Sequence, residues 1–250
     1  MKKFNEIPLV IHVIYGLWDI GEIPKYFRNN LSLWELQGWQ IKVWYRKDIE
    51  ELIESEYSDF KKIIYSIKRK VQLADLARLM VIYSKGGLYV DIDCKPVNNL
   101  FDYIQTINKN HLFFIEALIS NEFANKMAIE NHIRNGVPEI NERLANFCFA
   151  SSPKNEIIKS ILDLAKKRLL TFMDFNKDYD IIFKTGPDCL TTAVSEFDNI
   201  QKVHYKEFMF HHETGNWRNN KDYSLNLIHY YLKKIIHLIQ KCFSKVDFFE

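Results

Sequence analysis

An α/β fold, with a central mostly parallel sheet flanked by helices, follows from three observations on this sequence. Strand-like apolar runs alternate with helical ones along the N-terminal part of the chain. The helical run VQLADLARLMVIYSK, residues 71–85, is apolar nearly all round, as befits an element buried on every side. Gly86 and Gly87 then stop that helix and let the backbone turn tightly into the next strand.

The elements follow in order. PLVIHVIYG (8–16) reads as a first strand, a helix spans about 24–37, and WQIKVWY (39–45) reads as a second strand. A helical stretch near 48–66 precedes the buried helix, taken over 71–84, and LYVDID (88–93) is the next strand. HLFFIEA (111–117) and NFCFAS (146–151) are further strands. PKNEIIKSILDLAKKRLL (153–170) is an amphipathic helix with Pro153 near its start. Helical insertions are expected over 45–70 and 118–143, and no internal repeat or Pro/Gly/Ser linker divides the chain. The expected organisation is one catalytic domain over 1–224 and a C-terminal amphipathic helix over 225–250. In that helix Leu225, Ile228, Leu232, Ile235, Ile236, Ile239 and Phe243 recur at helical spacing. It would pack on the domain or, through 225–243 with Lys233, Lys234 and Lys241, contact a membrane surface peripherally.

Composition excludes several classes. The net charge of +2 balances 34 basic against 32 acidic residues, so no nucleic-acid partner is demanded. Cys94, Cys148, Cys189 and Cys242 form no CxxC pair, so neither a zinc site nor a disulfide framework is expected, and a reducing compartment fits. Lys2 and Lys3 before Leu9–Tyr15 imitate a secretory signal, but Glu6, Pro8 and His12 interrupt it. No run reaches the roughly 18 uninterrupted apolar residues of a membrane span. A cytoplasmic location is expected, peripheral at the inner face of the membrane if the last helix binds there.

The chemistry centres on GGLYVDIDCKP, residues 86–96. In a strand, Tyr89, Asp91 and Asp93 share one side, with the carboxylates roughly 6–7 Å apart at about 3.3 Å per residue. Charges so placed need a partner, because each unpaired buried ion costs several kcal/mol. A divalent metal carrying a diphosphate would meet that need, and oxygen ligands suit Mg²⁺ or Mn²⁺. The plainer alternative is that the strand ends there and both aspartates are solvated turn residues before Pro96. Asp75 and Arg78, the only charges between Val71 and Tyr83, lie at i and i+3 on one helix face and converge on the same place, as an ion pair or around a ligand.

ADLARLMVIYSKGGLYVDIDCKP resembles the signature of glycosyltransferases with the DXD sugar-binding motif. That group includes capsular polysaccharide and lipopolysaccharide sugar transferases and mannosyltransferases, and more distantly the clostridial glucosylating toxins. The resemblance rests on Asp75, Arg78, Gly86, Gly87, Tyr89, Asp91 and Asp93 at these spacings. IPLVIHVIYG is similar to the family's opening strand, which lines the nucleotide base. This implies donor contacts from Ile11, His12 and Tyr15, with Tyr15 standing where tryptophan is common. NFCFAS resembles a strand whose asparagine, Asn146, approaches the donor, and TGPDCLT one that opens a helix on the acceptor side. HHETGNW is similar to a late segment that would supply a third metal ligand from His211 or His212 and close Trp217 over the donor.

The resemblance implies a GT-A-type nucleotide-diphospho-sugar transferase fold. The expected activity is transfer of a hexose from a nucleotide diphosphate sugar, UDP-linked for preference, to a glycan hydroxyl with retention. Mn²⁺ or Mg²⁺ would be the cofactor and bacterial surface polysaccharide (capsule or lipopolysaccharide) synthesis the setting. In this reading Asp91 and Asp93 hold the metal, while Asp75 and Arg78 bind donor-sugar hydroxyls and orient Asp91. The alternatives are a toxin-like transferase acting on a protein, a non-catalytic nucleotide-sugar binding protein and, more distantly, a Mg²⁺-dependent DxD phosphatase. Cys94 and Lys95 after the second aspartate disfavour the last.

Overall fold

The computed structural model describes residues 6–17, 21–67, 69–118, 142–172 and 178–212. The chain divides into a unit of residues 1–211 and a second of 212–250, of which only His212 is described. The expected boundary at 224, Trp217 and the helix expected over 225–243 therefore lie outside the described residues, as does most of the insertion expected over 118–143.

Six strands form the central sheet in the order β2-β1-β3-β6-β5-β7. They are β1 (Val10–Ile14), β2 (Gln40–Trp44), β3 (Gly87–Val90), β5 (His111–Leu118), β6 (Glu142–Ser151) and β7 (Lys202–His204). β1 pairs in parallel with both β2 and β3, and β5 with β7, while β6 runs antiparallel to both its neighbours. Five strands thus point one way, the mostly parallel sheet expected. β4 (Cys94–Pro96) and β8 (Met209–His211) form a separate antiparallel ladder.

The helices are α1 (Lys25–Leu36), α2 (Arg46–Glu56), α3 (Lys61–Ser66), α4 (Lys70–Lys85), α5 (Leu100–Thr106), α6 (Glu156–Thr171), α7 (Asp178–Lys184) and α8 (Pro187–Val194). The stretch expected near 48–66 is broken into α2, a 3-10 turn at Ser58–Phe60 and α3. Asn155 caps α6 by accepting from the Ile157 N–H at 2.9 Å. Leu76 and Met80 of α4, Ile158 and Ile161 of α6 and Leu190 of α8 share one buried cluster with Tyr89, Phe113 and Phe149 of the sheet. Leu88, Val90, Leu112, Phe114 and Cys148, which lie outside that cluster, are fully buried too, so the sheet is covered on both faces.

Two glycines position the site. Gly86 has φ +68° and Gly87 φ +97°, conformations that side chains rarely tolerate. A Cβ on Gly87 would come within 2.6 Å of the Val10 carbonyl oxygen, so the absent side chain is what lets β3 lie against β1 directly after α4.

β3 stops at Val90, three residues earlier than the alternation reading assumed. The Cys94 N–H donates to the Asp91 carbonyl at 2.9 Å and closes a turn over 91–94. Tyr89 and Asp91 keep a common side, but Asp93 is re-aimed by the turn. The plainer alternative is half realised: the strand does end, yet the Asp93 side chain is only 7% exposed.

Candidate active site

Two clusters form where β3 ends. The first is built on α4. Asp75 is buried to 2%, and its carboxylate is met by three donors: Arg78 Nη2 at 3.2 Å, Asn146 Nδ2 at 3.1 Å and Thr185 Oγ1 at 2.8 Å. Burial pushes its pKa up to about 6, against the lowering by Arg78 and Thr185. Arg78 spans the cluster: Nη1 donates to the Asn146 carbonyl at 2.6 Å and stands 3.5 Å from Asp91 Oδ1, while the guanidinium lies 4.9 Å from the Tyr89 ring centre. Burial opposes its charge, but Asp91, Tyr89 and Asp75 outweigh that and raise its pKa. The Tyr89 hydroxyl donates to Asp91 Oδ1 at 2.6 Å. With its side chain 29% exposed, Asp91 presents this charged network at the surface.

The second cluster joins the turn to β8. Cys94 faces His211 in the β4–β8 register, and His211 Nε2 lies 3.3 Å from Asp93 Oδ1. The His211 ring stacks on Phe147, with centroids 3.9 Å apart. One ligand atom each from Asp93, Cys94 and His211 lies within 4.8 Å of the others. A carboxylate, an imidazole and a thiol converging this closely are a donor set that fits a divalent ion.

β6 serves both clusters through an irregularity. Between the pairs Phe113↔Phe149 and Ile115↔Leu144, β5 advances two residues while β6 advances five. The extra residues bulge, which sends the Asn146 amide to Asp75 and the Phe147 ring to His211.

Several expectations change on this geometry. Ile11 is fully buried, and His12 accepts from Trp44 Nε1 at 2.9 Å through Nδ1 while hydrogen-bonding the Gly86 backbone. Both side chains are buried within the sheet. Just past the end of β1 stands Tyr15, whose ring meets Tyr45 edge-on at 6.5 Å and whose hydroxyl donates to the Glu22 carbonyl at 3.2 Å. Asp75 lies beneath the site, where Arg78, Asn146 and Thr185 meet its oxygens. Asn146 likewise spends its amide on Asp75. The TGPDCLT segment does open a helix, α8, with Pro187 in its first turn. Its start is buried, however, because Asp188 is fully buried with Arg143 Nε 3.0 Å from Oδ1. Of the two histidines, His211 meets Asp93 at 3.3 Å, and His212 opens the second unit.

Cys94, Thr185 and Phe147 are the participants that the sequence reading left out. The quoted TGPDCLT and NFCFAS segments contained two of them, without any sign of what they would touch.

Residues 21–114 match the model of the glycosyltransferase sugar-binding region containing the DXD motif. The resemblance drawn from ADLARLMVIYSKGGLYVDIDCKP holds over that segment, which contains Asp75, Arg78, Tyr89, Asp91 and Asp93. Inositol phosphoceramide mannosyltransferase 1 of Schizosaccharomyces pombe is 32% identical over 106 residues, covering 39% of this chain and 32% of its own. A glycosyltransferase of Acanthamoeba polyphaga mimivirus is 28% identical over 123 residues, covering 48% of this chain and 47% of its own. The chain thus spans from about a third to about half of the length of these relatives. Among solved structures, PaToxG glycosyltransferase superposes with a TM-score of 0.52 at 18% identity, covering 78% of this chain and 70% of its own. That likeness establishes the fold as GT-A type. No helix among the described residues is long and apolar enough to cross a membrane.

Proposed function

We propose that this chain is a metal-dependent glycosyltransferase that moves a hexose from a nucleotide diphosphate sugar, UDP-linked for preference, to a glycan hydroxyl with retention, in surface polysaccharide assembly. The observation that carries the reading is the meeting, at the end of β3, of a buried Asp75–Arg78–Tyr89–Asp91 network with a separate Asp93–His211 pair. In open α/β sheets, ligands bind beyond the carboxyl ends of the strands, where both clusters lie.

Asp93 and His211 are the residues that would hold Mn²⁺ or Mg²⁺, and Asp91 is the one that would bridge to the ribose. The ion supplies charge neutralisation for the leaving diphosphate. Arg78, held by Asp75 and the Asn146 carbonyl, keeps Asp91 in place and, with Asp75, would bind hydroxyls of the donor sugar. Tyr15 provides an aromatic ring near the end of β1 for the base. Most of the acceleration then comes from positioning and leaving-group stabilisation, without a protein nucleophile.

The test is nucleoside diphosphate release from a panel of UDP- and GDP-sugars, mannose donors included because of the mannosyltransferase relatives, with native protein and Asp93→Asn. Release that needs a divalent ion and is lost in the variant supports the reading. Absence of both turnover and donor binding across the panel refutes it. Binding without release, even with acceptor glycans present, would favour the nucleotide-sugar binding alternative.

A further inference from the structure

The Asp93–His211 pair does not stand alone, because a thiol converges on it: one ligand atom of Cys94 lies within 4.8 Å of both. Cys94 and His211 are directly opposite in an antiparallel ladder, a placement that puts both side chains on the same face. Asp93 precedes Cys94 by one residue, yet the turn closed by the Cys94 N–H on the Asp91 carbonyl keeps its carboxylate on that side. Strand β4 is pinned from α1, where Trp34 Nε1 donates to the Cys94 carbonyl at 3.2 Å, and the His211 ring is pinned by Phe147. The three ligand atoms therefore converge within 4.8 Å on an anchored frame.

We propose that Cys94 is a third protein ligand of this centre, which makes it a site for a borderline-soft divalent ion, Zn²⁺ or Co²⁺, in preference to Mg²⁺. Carboxylate and imidazole accept a wide range of divalent ions, but a thiolate discriminates strongly in favour of softer ones. One O, one N and one S ligand with an open fourth position is an arrangement that Zn²⁺ readily adopts. On binding, the thiol gives its proton to solvent and the metal–sulfur bond forms. The inference rests on the transferase reading only for the fourth position, which a donor diphosphate oxygen would fill.

The experiment needs no turnover. Chelator-stripped protein is titrated with Co²⁺ alone, with binding followed by equilibrium dialysis and the sulfur-to-cobalt charge-transfer absorption by spectroscopy, in native protein, Cys94→Ser and Cys94→Ala. The band is expected in native protein and absent from both variants, and Zn²⁺ affinity is expected to fall by more than about 100-fold while Mg²⁺ affinity changes little. Cys94 is only 1% exposed, so the variants can fail to fold. X-ray absorption on the Zn²⁺-loaded native protein therefore provides a second reading, with one sulfur neighbour expected at about 2.3 Å. Co²⁺ bound without the band, a band that survives in folded variants, or a zinc shell of oxygen and nitrogen alone overturns the proposal. None of these outcomes bears on whether donor is turned over with Mn²⁺. Conversely, a failed donor panel leaves a sulfur-ligated centre standing by itself.

Discussion

Thr185→Val removes one hydroxyl from beneath the site and leaves nearly the same volume. Thr185 Oγ1 donates to Asp75 Oδ2 at 2.8 Å, and both groups are buried to 2%. A hydrogen bond to a buried charge contributes about 1.5–3 kcal/mol. This one favours only the ionised carboxylate, and one pKa unit corresponds to about 1.4 kcal/mol, so its loss raises the Asp75 pKa by about 1–2 units. In the native protein that pKa is about 6. Because protonation of Asp75 loosens its hold on Arg78 and Asn146, donor turnover falls on the acid side of that value.

The assay is the pH profile of kcat/KM for whichever donor the panel identifies, in native protein, Thr185→Val and Thr185→Ser. The acid limb should move up by about 1–2 units in the valine variant and return in the serine variant. Stability supplies an independent reading. The lost bond matters only where Asp75 is ionised, so the urea-midpoint gap between native and valine proteins should widen as the pH rises through about 6. A limb that stays in place while activity falls by one factor at every pH would refute the reasoning and reduce Thr185 to a packing residue.

Other expectations concern the scaffold. Burial, foremost, lowers the His12 pKa from 6.5 to about 4. Between those values the unfolded chain binds a proton that the folded chain refuses, so acid destabilises by up to about 3 kcal/mol. Urea midpoints at pH 7.5 and 4.5 should show that loss in native protein and much less of it in His12→Gln. Gly87→Ala combines φ +97° with a Cβ 2.6 Å from the Val10 carbonyl oxygen. Its cost should exceed about 3 kcal/mol, measurable as a lowered Tm or loss of soluble protein. Glu56 accepts from Lys85, Ser84 and Lys154, and Lys85 foremost draws its pKa down to about 2. With that carboxylate 30% exposed, Glu56→Gln should cost only about 1 kcal/mol. Its deficit is complete above pH 4.5 and should fade in denaturant titrations as the pH falls toward 2.

What was legible in the sequence was local. The apolar wrap of α4, the glycine pair and the alternation of runs specify elements through contacts between near neighbours, and these elements formed where expected. What was not legible depends on pairings far apart along the chain. Thr185 meets Asp75 across 110 residues. Cys94 meets His211 only because β4 and β8 pair in that register, and a slip of one residue would turn His211 to the other face. The bulge in β6 leaves no mark in NFCFAS, whose alternation reads as regular. The partners of His12 were hidden for a related reason: in a strand covered on both faces its ring nitrogens meet Trp44 and the Gly86 backbone, neither of which its local sequence announces.

The early end of β3 is what allows two aspartates one residue apart to do different work. Had the strand continued, Asp91 and Asp93 would have shared one side and one cation, Arg78, and their repulsion would have favoured protonation of one of them. The turn over 91–94 separates them. Asp91 stays with Tyr89 and with Arg78, a cation it shares with Asp75, while Asp93 goes to His211. The first carboxylate thereby has its cation within the fold, and the second lies beside the imidazole and thiol of the other cluster. It is this separation of partners, more than the D-x-D spacing itself, that distinguishes the two aspartates at the end of β3.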